Sequence, residues 1–107
     1  MCPWEIWTWQ FKFGSHPAVI LSNETRVQLK AEVVILSCST HRAARPAEIF
    51  EVIRDQSDGL NWPTLCRCDL LYTVEKKVLT GRRGHVTFER RRAIAERVIR
   101  SLAFGSL

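Results

Sequence analysis

The residue types best suited to chemistry lie on one short predicted strand, Leu65 to Tyr72. Side chains alternate between the two faces of a strand, so Arg67 and Asp69 share one face. A carboxylate can take the proton from an attacking hydroxyl, and a guanidinium can stabilise negative charge at a phosphorus centre. The pair therefore suits phosphodiester transfer, although its spacing also fits an ordinary ion pair on a solvated face. The opposite face is expected to carry Cys66, Cys68, Leu70 and Tyr72.

Two hydroxyl residues, Ser39 and Thr40, lie where a predicted buried strand ends and a short basic segment begins. Hydroxyl and backbone N–H groups in such a place can bind a phosphate or a base edge. Arg42 and Arg45 extend the cationic surface beside them. Strand ends also use Ser and Thr to form turns, so the residues alone leave both interpretations open.

Imidazole titrates near neutrality, which makes the three histidines candidates for acid–base work. His16 precedes a proline at the start of a buried strand and His41 lies in the basic segment, so these two could reach one site; His85 has no such context. Tryptophans can also stack nucleic-acid bases, although core packing is their commoner use in so small a chain. The tryptophans are Trp4, Trp7, Trp9 and Trp62.

The composition is that of one ordinary globular domain spanning residues 1–107, with 46% apolar and 25% charged residues. The formal net charge of +5 would attract an anionic partner such as nucleic acid. Much of this excess lies near the C-terminus, where a run of arginines also fits a solvated helix face. Charge therefore favours nucleic acid only weakly.

The four cysteines have no spacing typical of a zinc site, so we expect reduced core thiols and no metal or other cofactor. The first residues lack a basic start followed by an apolar run, and no apolar stretch approaches ~18 residues. We therefore expect neither export nor membrane insertion, and a cytoplasmic location.

Hydrophobic patterning predicts about five strands followed by one helix that begins after Thr87 and ends before Gly105. Turns are predicted at Gly14–Ser15 and Gly81–Gly84. These elements indicate a mainly β (α+β) fold, a small curved sheet or barrel that carries a C-terminal helix. The predicted strands are Trp4–Phe13, Ala18–Leu21, Val33–Leu36, Ala47–Ile53 and Thr64–Val74.

Four segments, taken in order, resemble the MazF/PemK family of toxin endoribonucleases, including its Kid-type members. Trp4–Trp7 resembles the family's opening Gly-Glu-Ile/Val-Trp strand, and His16–Ser22 resembles its Arg-Pro-Ala-Val-Val-Leu-Ser strand. Cys38–Thr40 resembles the segment that ends in a Thr-Thr or Thr-Ser pair, and Arg67–Asp69 matches the Arg-Cys-Asp of Kid-type toxins. The resemblance covers nearly the whole chain.

The resemblance implies a PemK-like (SH3-like) β-barrel and a homodimer whose groove holds single-stranded RNA. It also implies metal-independent cleavage that leaves a 2′,3′-cyclic phosphate, inhibits translation and growth, and is neutralised by a cognate antitoxin. By position, Asp69 would be the general base, Arg67 the transition-state stabiliser and possible proton donor, and Ser39 the group that orients the phosphate. The residues implied to line the RNA groove are Thr40, His41, Arg42 and Arg45.

One departure from the family pattern affects the expected chemistry, because His16 stands where the family has arginine. The loop before His16 is also shorter than in the family, and this chain lacks the histidine that Kid-type toxins carry in that loop. We hypothesise that His16 takes over the acid or base role of the missing group, since imidazole titrates near neutrality. The contrary expectation is a weakened or inactive ribonuclease.

Two non-enzymatic alternatives have the same kind of fold. CcdB-like toxins bind gyrase through a tail resembling Trp-Gly-Ile, which the C-terminal Phe104–Leu107 matches poorly. A nucleic-acid-binding barrel without catalysis is the other alternative, and it predicts that Asp69→Ala leaves RNA affinity intact or raises it, with no cleavage to lose.

Overall fold

The computed structural model describes residues 1–11, 14–40, 51–54 and 64–103, and for Thr40, Asp69 and residues 51–54 and 64–65 it describes the backbone only. Six strands form one antiparallel sheet in the order β4-β5-β3-β2-β1-β6. A 3₁₀ turn, Lys76–Val78, precedes β6. The elements are β1 (Glu5–Phe11), β2 (Gly14–Ile20), α1 (Glu24–Leu29), β3 (Glu32–Thr40), β4 (Glu51–Arg54), β5 (Thr64–Glu75), β6 (Leu79–His85) and α2 (Phe88–Ser101).

The central strands β2 and β3 are buried on both faces over their continuous apolar runs, as those runs predicted; Val34 is half-buried. Helix α2 packs on one face, where Ile94 reaches the core cluster. The other face holds a second cluster, which α1 covers in part through Val27. The first cluster comprises Ile6, Val19, Leu36, Cys38, Cys66, Cys68, Val86 and Ile94; the second comprises Ala18, Ile20, Val27, Val33, Ile35 and Leu79.

Contact between Trp9 on β1 and Tyr72 on β5 shows how strongly the sheet curls around the second cluster. Two strands separate β1 from β5 in the sheet, which corresponds to about 14 Å in a flat sheet. The two ring centroids are nevertheless 5.0 Å apart. Among the described residues the edge strands β4 and β6 do not pair with each other, so this strongly curved sheet is not closed.

Both predicted turns are wrong, because glycine occurs inside strands here. Gly14 pairs with Phe11 and begins β2, so Gly14 and Ser15 are strand residues. Gly81 and Gly84 lie within β6, whose register against β1 shifts between Ile6 and Thr8. Gly81 has a φ of 54°, a left-handed conformation that glycine adopts without strain, and it serves a β-bulge.

Helix α1 was not predicted. It has a recognisable start signal, because the Asn23 side chain accepts a hydrogen bond from the Arg26 amide at 2.9 Å. Its six residues bury only Val27, so no helical period of apolar residues marks it. The predicted strand Ala47–Ile53 overlaps β4, and its residues 47–50 lie outside the described residues.

The predicted C-terminal helix is confirmed as α2, with Thr87 at the N-cap position. Only some of its periodically spaced apolar side chains pack in the core. Ile94 is buried and Val98 packs beside it, whereas Phe88 is 84% exposed and Ile99 is 54% exposed. The two exposed positions are eleven residues apart and so share a second helix face, turned away from Ile94. Gly105 lies outside the described residues.

The cysteines are thiols, three of them in the core as predicted. Cys38 and Cys66 are cross-strand partners with their Sγ atoms 3.2 Å apart, and Cys68 is buried with them. The prediction is wrong for Cys2, which is exposed because it precedes the first strand.

No helix in the described part of the chain combines the length and apolarity needed to cross a bilayer.

Candidate active site

The segment with Arg67 lies in a bulge of β5. The register between β3 and β5 shifts between the Leu36–Leu71 pair and the Cys38–Cys66 pair. One β3 residue therefore faces four β5 residues, 67–70. A bulge bends its strand and re-aims side chains, and bulges are frequent beside active sites.

The bulge also changes which face each β5 side chain occupies. Cys66 and Cys68 pack in the cluster beneath α2, as expected. Tyr72 was predicted to share their face, and this is wrong: its ring contacts Trp9, on the opposite face of the sheet. A register shift of three is odd, so it reverses the inward–outward alternation between these positions. Leu70, also predicted on the cysteine face, is 38% exposed.

Arg67 is exposed, between the two buried cysteines, which confirms its predicted separation from them. On the other side of β5 it pairs in the ladder with Glu51 of the short edge strand β4. Asp69 follows two residues later in β5. Only its backbone is described, so the proximity of its carboxylate to Arg67 stays a prediction.

His16 and Ser39 lie on neighbouring strands at the same end of the sheet. The described pairing of β2 with β3 reaches Ala18 opposite Ser37, and His16 and Ser39 each lie two residues beyond that pair in the same direction. Ser39 is half-buried and pairs on its other side with Leu65 of β5. Three adjacent strands thus bring an imidazole, a hydroxyl and the approach to the Arg67 bulge to one region.

The His16 side chain is exposed and stacks on Phe11, with centroids 5.1 Å apart and planes inclined by 22°. The strand pairing explains this contact, because His16 lies opposite Trp9 and Phe11 lies opposite Gly14 on the same hairpin. One face of the imidazole is held by the Phe11 ring. An imidazole held in this way is available as a proton donor or acceptor at the site.

The remaining predicted site residues are outside what the structure describes in full. Thr40 ends β3 and pairs with Thr64, with its backbone alone described. His41, Arg42 and Arg45 lie outside the described residues, so their predicted RNA contacts stay predictions. Within the described ranges, no three His, Cys, Asp or Glu side chains are grouped as metal ligands would be.

The sequence matches one protein family over residues 3–102: PemK-like, MazF-like toxin of type II toxin–antitoxin systems. The match spans almost the whole chain, including the Arg67 bulge and the ends of β2 and β3. The chain belongs to this family. Among curated proteins, no sequence matches it.

Solved structures share the fold of this PemK/MazF-family chain. A mycobacterial endoribonuclease in complex with its cognate antitoxin superposes with a TM-score of 0.85 at 23% identity, covering 97% of this chain and 96% of the other. The Mycobacterium tuberculosis toxin MazF-mt6 gives 0.79 at 24% identity, with coverages of 91% and 94%. MazF from a Deinococcus radiodurans MazE–MazF complex gives 0.70 at 12% identity, with coverages of 96% and 91%. The predicted PemK-like fold is confirmed.

Sequence reasoning missed how the aromatic residues of this toxin-family chain are arranged. Tyr72 was assigned to the wrong face of β5, and no contact between it and the predicted strand Trp4–Phe13 was expected. The rings of Tyr72, Trp9 and Phe11 nevertheless form contacts near His16. Alternation along β1 could have placed Trp9 beside Phe11. The contact with Tyr72 depends on the bulge and on sheet curvature, which no local pattern records.

Proposed function

We propose that this chain is an endoribonuclease toxin that cleaves single-stranded RNA without a metal ion. In the reaction, the ribose 2′-oxygen attacks the adjacent phosphorus, the bond to the 5′-oxygen breaks, and a 2′,3′-cyclic phosphate remains. The observation that carries the proposal is the position of Arg67: an exposed guanidinium in a strand bulge, beside the β2 and β3 ends that bear His16 and Ser39. The family assignment supports the same chemistry.

Each side chain has a distinct part in this mechanism. Asp69 takes the proton of the 2′-hydroxyl as the oxygen attacks. Arg67 stabilises the added negative charge on the phosphorane oxygens, where a planar, permanently charged fork is well suited. Ser39 donates a hydrogen bond to a non-bridging phosphate oxygen and fixes the direction of attack. His16 delivers a proton to the leaving 5′-oxygen, a step for which imidazole is better suited than guanidinium.

The proposal includes a cytoplasmic location, a homodimer whose groove takes RNA contacts from Thr40, His41, Arg42 and Arg45, and inhibition by a cognate antitoxin. Support for the antitoxin comes from the family and from the matching structures, two of which are complexes with an antitoxin or MazE. Support for the dimer comes from the exposed apolar side chains on α2. Beside them an apolar groove of about 390 Å³ runs between α2 and the sheet, lined by residues that include Trp4, Leu71 and Ile99.

The decisive experiment incubates purified protein with a long RNA in excess EDTA. We expect fragments ending in a cyclic phosphate from the wild type, and a loss of about 10²- to 10³-fold in cleavage rate for Arg67→Ala, as for removal of an electrostatic transition-state contact. Arg26→Ala is the matched control, because it removes one exposed arginine from α1, away from the candidate site and from α2, and should cleave like wild type. Equal cleavage by Arg67→Ala would refute the assigned role.

Absence of cleavage by the wild type would instead favour the non-enzymatic alternatives. A nucleic-acid-binding barrel would still bind RNA, and Asp69→Ala would bind as tightly as wild type. A CcdB-like poison would act through a protein target and show no dependence on Arg67.

A further inference from the structure

Four ring side chains form a continuous series across the curved sheet, here named the aromatic array: Tyr72, Trp9, Phe11 and His16. Tyr72 and Trp9 have centroids 5.0 Å apart, and so do Trp9 and Phe11, with planes tilted by 45° and 47°. Phe11 and His16 follow at 5.1 Å, nearly parallel. The series connects β5 to β1 and ends on β2.

The middle of the array is anchored and its two ends are open. Trp9 packs against the buried cluster around Ile35, and Trp9 and Phe11 are both half-buried. At one end Tyr72 is 39% exposed although its ladder partner is the fully buried Ile35. Packing over the core explains the position of the Trp9 ring. It does not explain the position of Tyr72, much of which faces solvent. A rigid ring system with open ends is suited to receive another flat ring, because little side-chain freedom remains to be lost.

Small residues allow the rings to meet. The pair Ala18–Ser37 lies on the two strands between β1 and β5. With no long side chain on either residue, Trp9 and Tyr72 can approach above them. The result is a row of contacting, mutually tilted rings on the concave side of the sheet.

The Tyr72 end of the array is close in sequence to the β5 bulge that contains Arg67, and it lies on the same face of the sheet. Because the register shift in β5 is an odd number of residues, Tyr72 lies on the face of the sheet opposite Cys66 and Cys68. Arg67, between the two buried cysteines, lies on that same face. An anion held by Arg67 would therefore have an aromatic surface on the same face of the sheet. An unpaired nucleotide carries both groups that such a surface would bind, a phosphate for the guanidinium and a flat base for the aromatic ring. The net charge of +5 also favours binding of a nucleic-acid strand.

We infer that the Tyr72–Trp9 end of the aromatic array is a base-stacking subsite for single-stranded RNA. One unpaired base near the cleaved phosphate stacks on the exposed face of Tyr72, while the Phe11 end holds the imidazole of His16 for the reaction. The inference rests on the proposed function and specifies how the RNA substrate is bound. Stacking accepts any base, so this subsite contributes affinity and placement with little sequence preference.

The test measures binding of a single-stranded, fully 2′-O-methylated RNA, which lacks the attacking hydroxyl, by fluorescence anisotropy. We expect Tyr72→Leu to weaken binding about tenfold, the scale of one lost base–aromatic stack, and Tyr72→Phe to bind within about twofold of wild type. Leu29→Ala is the control: it removes an exposed apolar side chain from α1, away from the array, and should leave affinity unchanged. Thermal unfolding of each variant verifies that the fold is retained.

A second ligand separates stacking from an indirect effect. On a strand of the same length whose bases are replaced by abasic linkers, wild type and Tyr72→Leu should bind equally, because there is nothing to stack. An equal loss on both ligands, or no loss on either, would overturn the subsite. If the wild type cleaves RNA in these cases, the proposed function survives; if it neither binds nor cleaves RNA, both proposals fail.

Discussion

At the scale of single residues, His16 is the residue on which the proposed acid–base chemistry depends most. It stands where the family has a guanidinium, and an imidazole is the better suited of the two to donate or accept a proton. Its exposed position, stacked on Phe11 and at the same sheet end as Ser39, suits a proton donor to the leaving group. The residue that departs from the family pattern is thus held in place by a neighbour on its own hairpin.

Replacing His16 should reveal this role in the pH dependence of cleavage. We expect His16→Ala to lower the cleavage rate by about 10²- to 10⁴-fold and to remove the alkaline limb of the pH–rate profile, since a general acid is lost. His85→Ala, another exposed histidine on β6, should keep the wild-type profile. His16→Arg restores the family residue; a large gain in rate from it would favour the contrary view that His16 weakens the enzyme. An unchanged profile in His16→Ala would dismiss the acid–base role.

At the scale of elements, irregular pairing shapes the site. The β5 bulge presents Arg67 and reverses the alternation, so that Tyr72 reaches the concave face. At the other edge of the sheet, β6 is tied to β1 through Glu5, which binds Arg82. Burial alone would raise the pKa of Glu5, but hydrogen bonds from the Cys2 amide, the Trp7 indole and Arg82 outweigh it and hold the pKa below its usual 4.5.

This ion pair predicts a pH-dependent contribution to stability. A carboxyl whose pKa is lowered by folding stabilises the fold above its unfolded-state pKa, and the contribution disappears as pH falls through the lowered value. We expect Glu5→Gln to reduce the free energy of unfolding by about 1 to 2 kcal/mol near neutral pH, and by progressively less below pH ~4. Glu96→Gln, in an exposed pair with Arg100, should change little at any pH. Denaturant unfolding across pH measures both, and a pH-independent cost for Glu5→Gln would contradict this account.

At the scale of the whole molecule, α2 has two apolar stripes, and among the described residues only one of them packs against the sheet. Ile94 and Val98 pack on the sheet. Ile99 is exposed at the groove that Trp4 helps to line, and Phe88 is exposed at a second groove beside Trp4. Exposed apolar side chains beside an apolar groove are typical of a surface that another protein covers. In this chain a second copy is the proposed occupant.

The dimer can be tested without disturbing the core. We expect the double substitution Phe88→Glu with Ile99→Glu to convert a dimer into a folded monomer, because it places charge in the proposed interface. Leu29→Glu changes a 75% exposed leucine on α1 and should leave the dimer intact. Light scattering coupled to size exclusion gives the mass of each; a dimer that survives the double substitution would locate the interface elsewhere.

Much of the architecture follows from local pattern. The apolar runs at 18–21 and 33–36 predicted strands buried on both faces, and the change of period after Thr87 predicted the final helix. Alternation around Arg67 correctly separated an exposed cation from the buried cysteines on either side. Four short motifs in order were enough for the family. Each of these signals lies within a few residues, where side-chain spacing directly reports burial.

Other features depend on tertiary structure. The bulge in β5, the meeting of Trp9 with Tyr72 across two strands, and the shared sheet end of His16 and Ser39 all arise from strand register and curvature. Register is set by pairing between residues distant in sequence, and a one-residue change in it reverses every side chain beyond that point. Local alternation therefore placed Arg67 correctly and Tyr72 on the wrong face, although only five residues separate them.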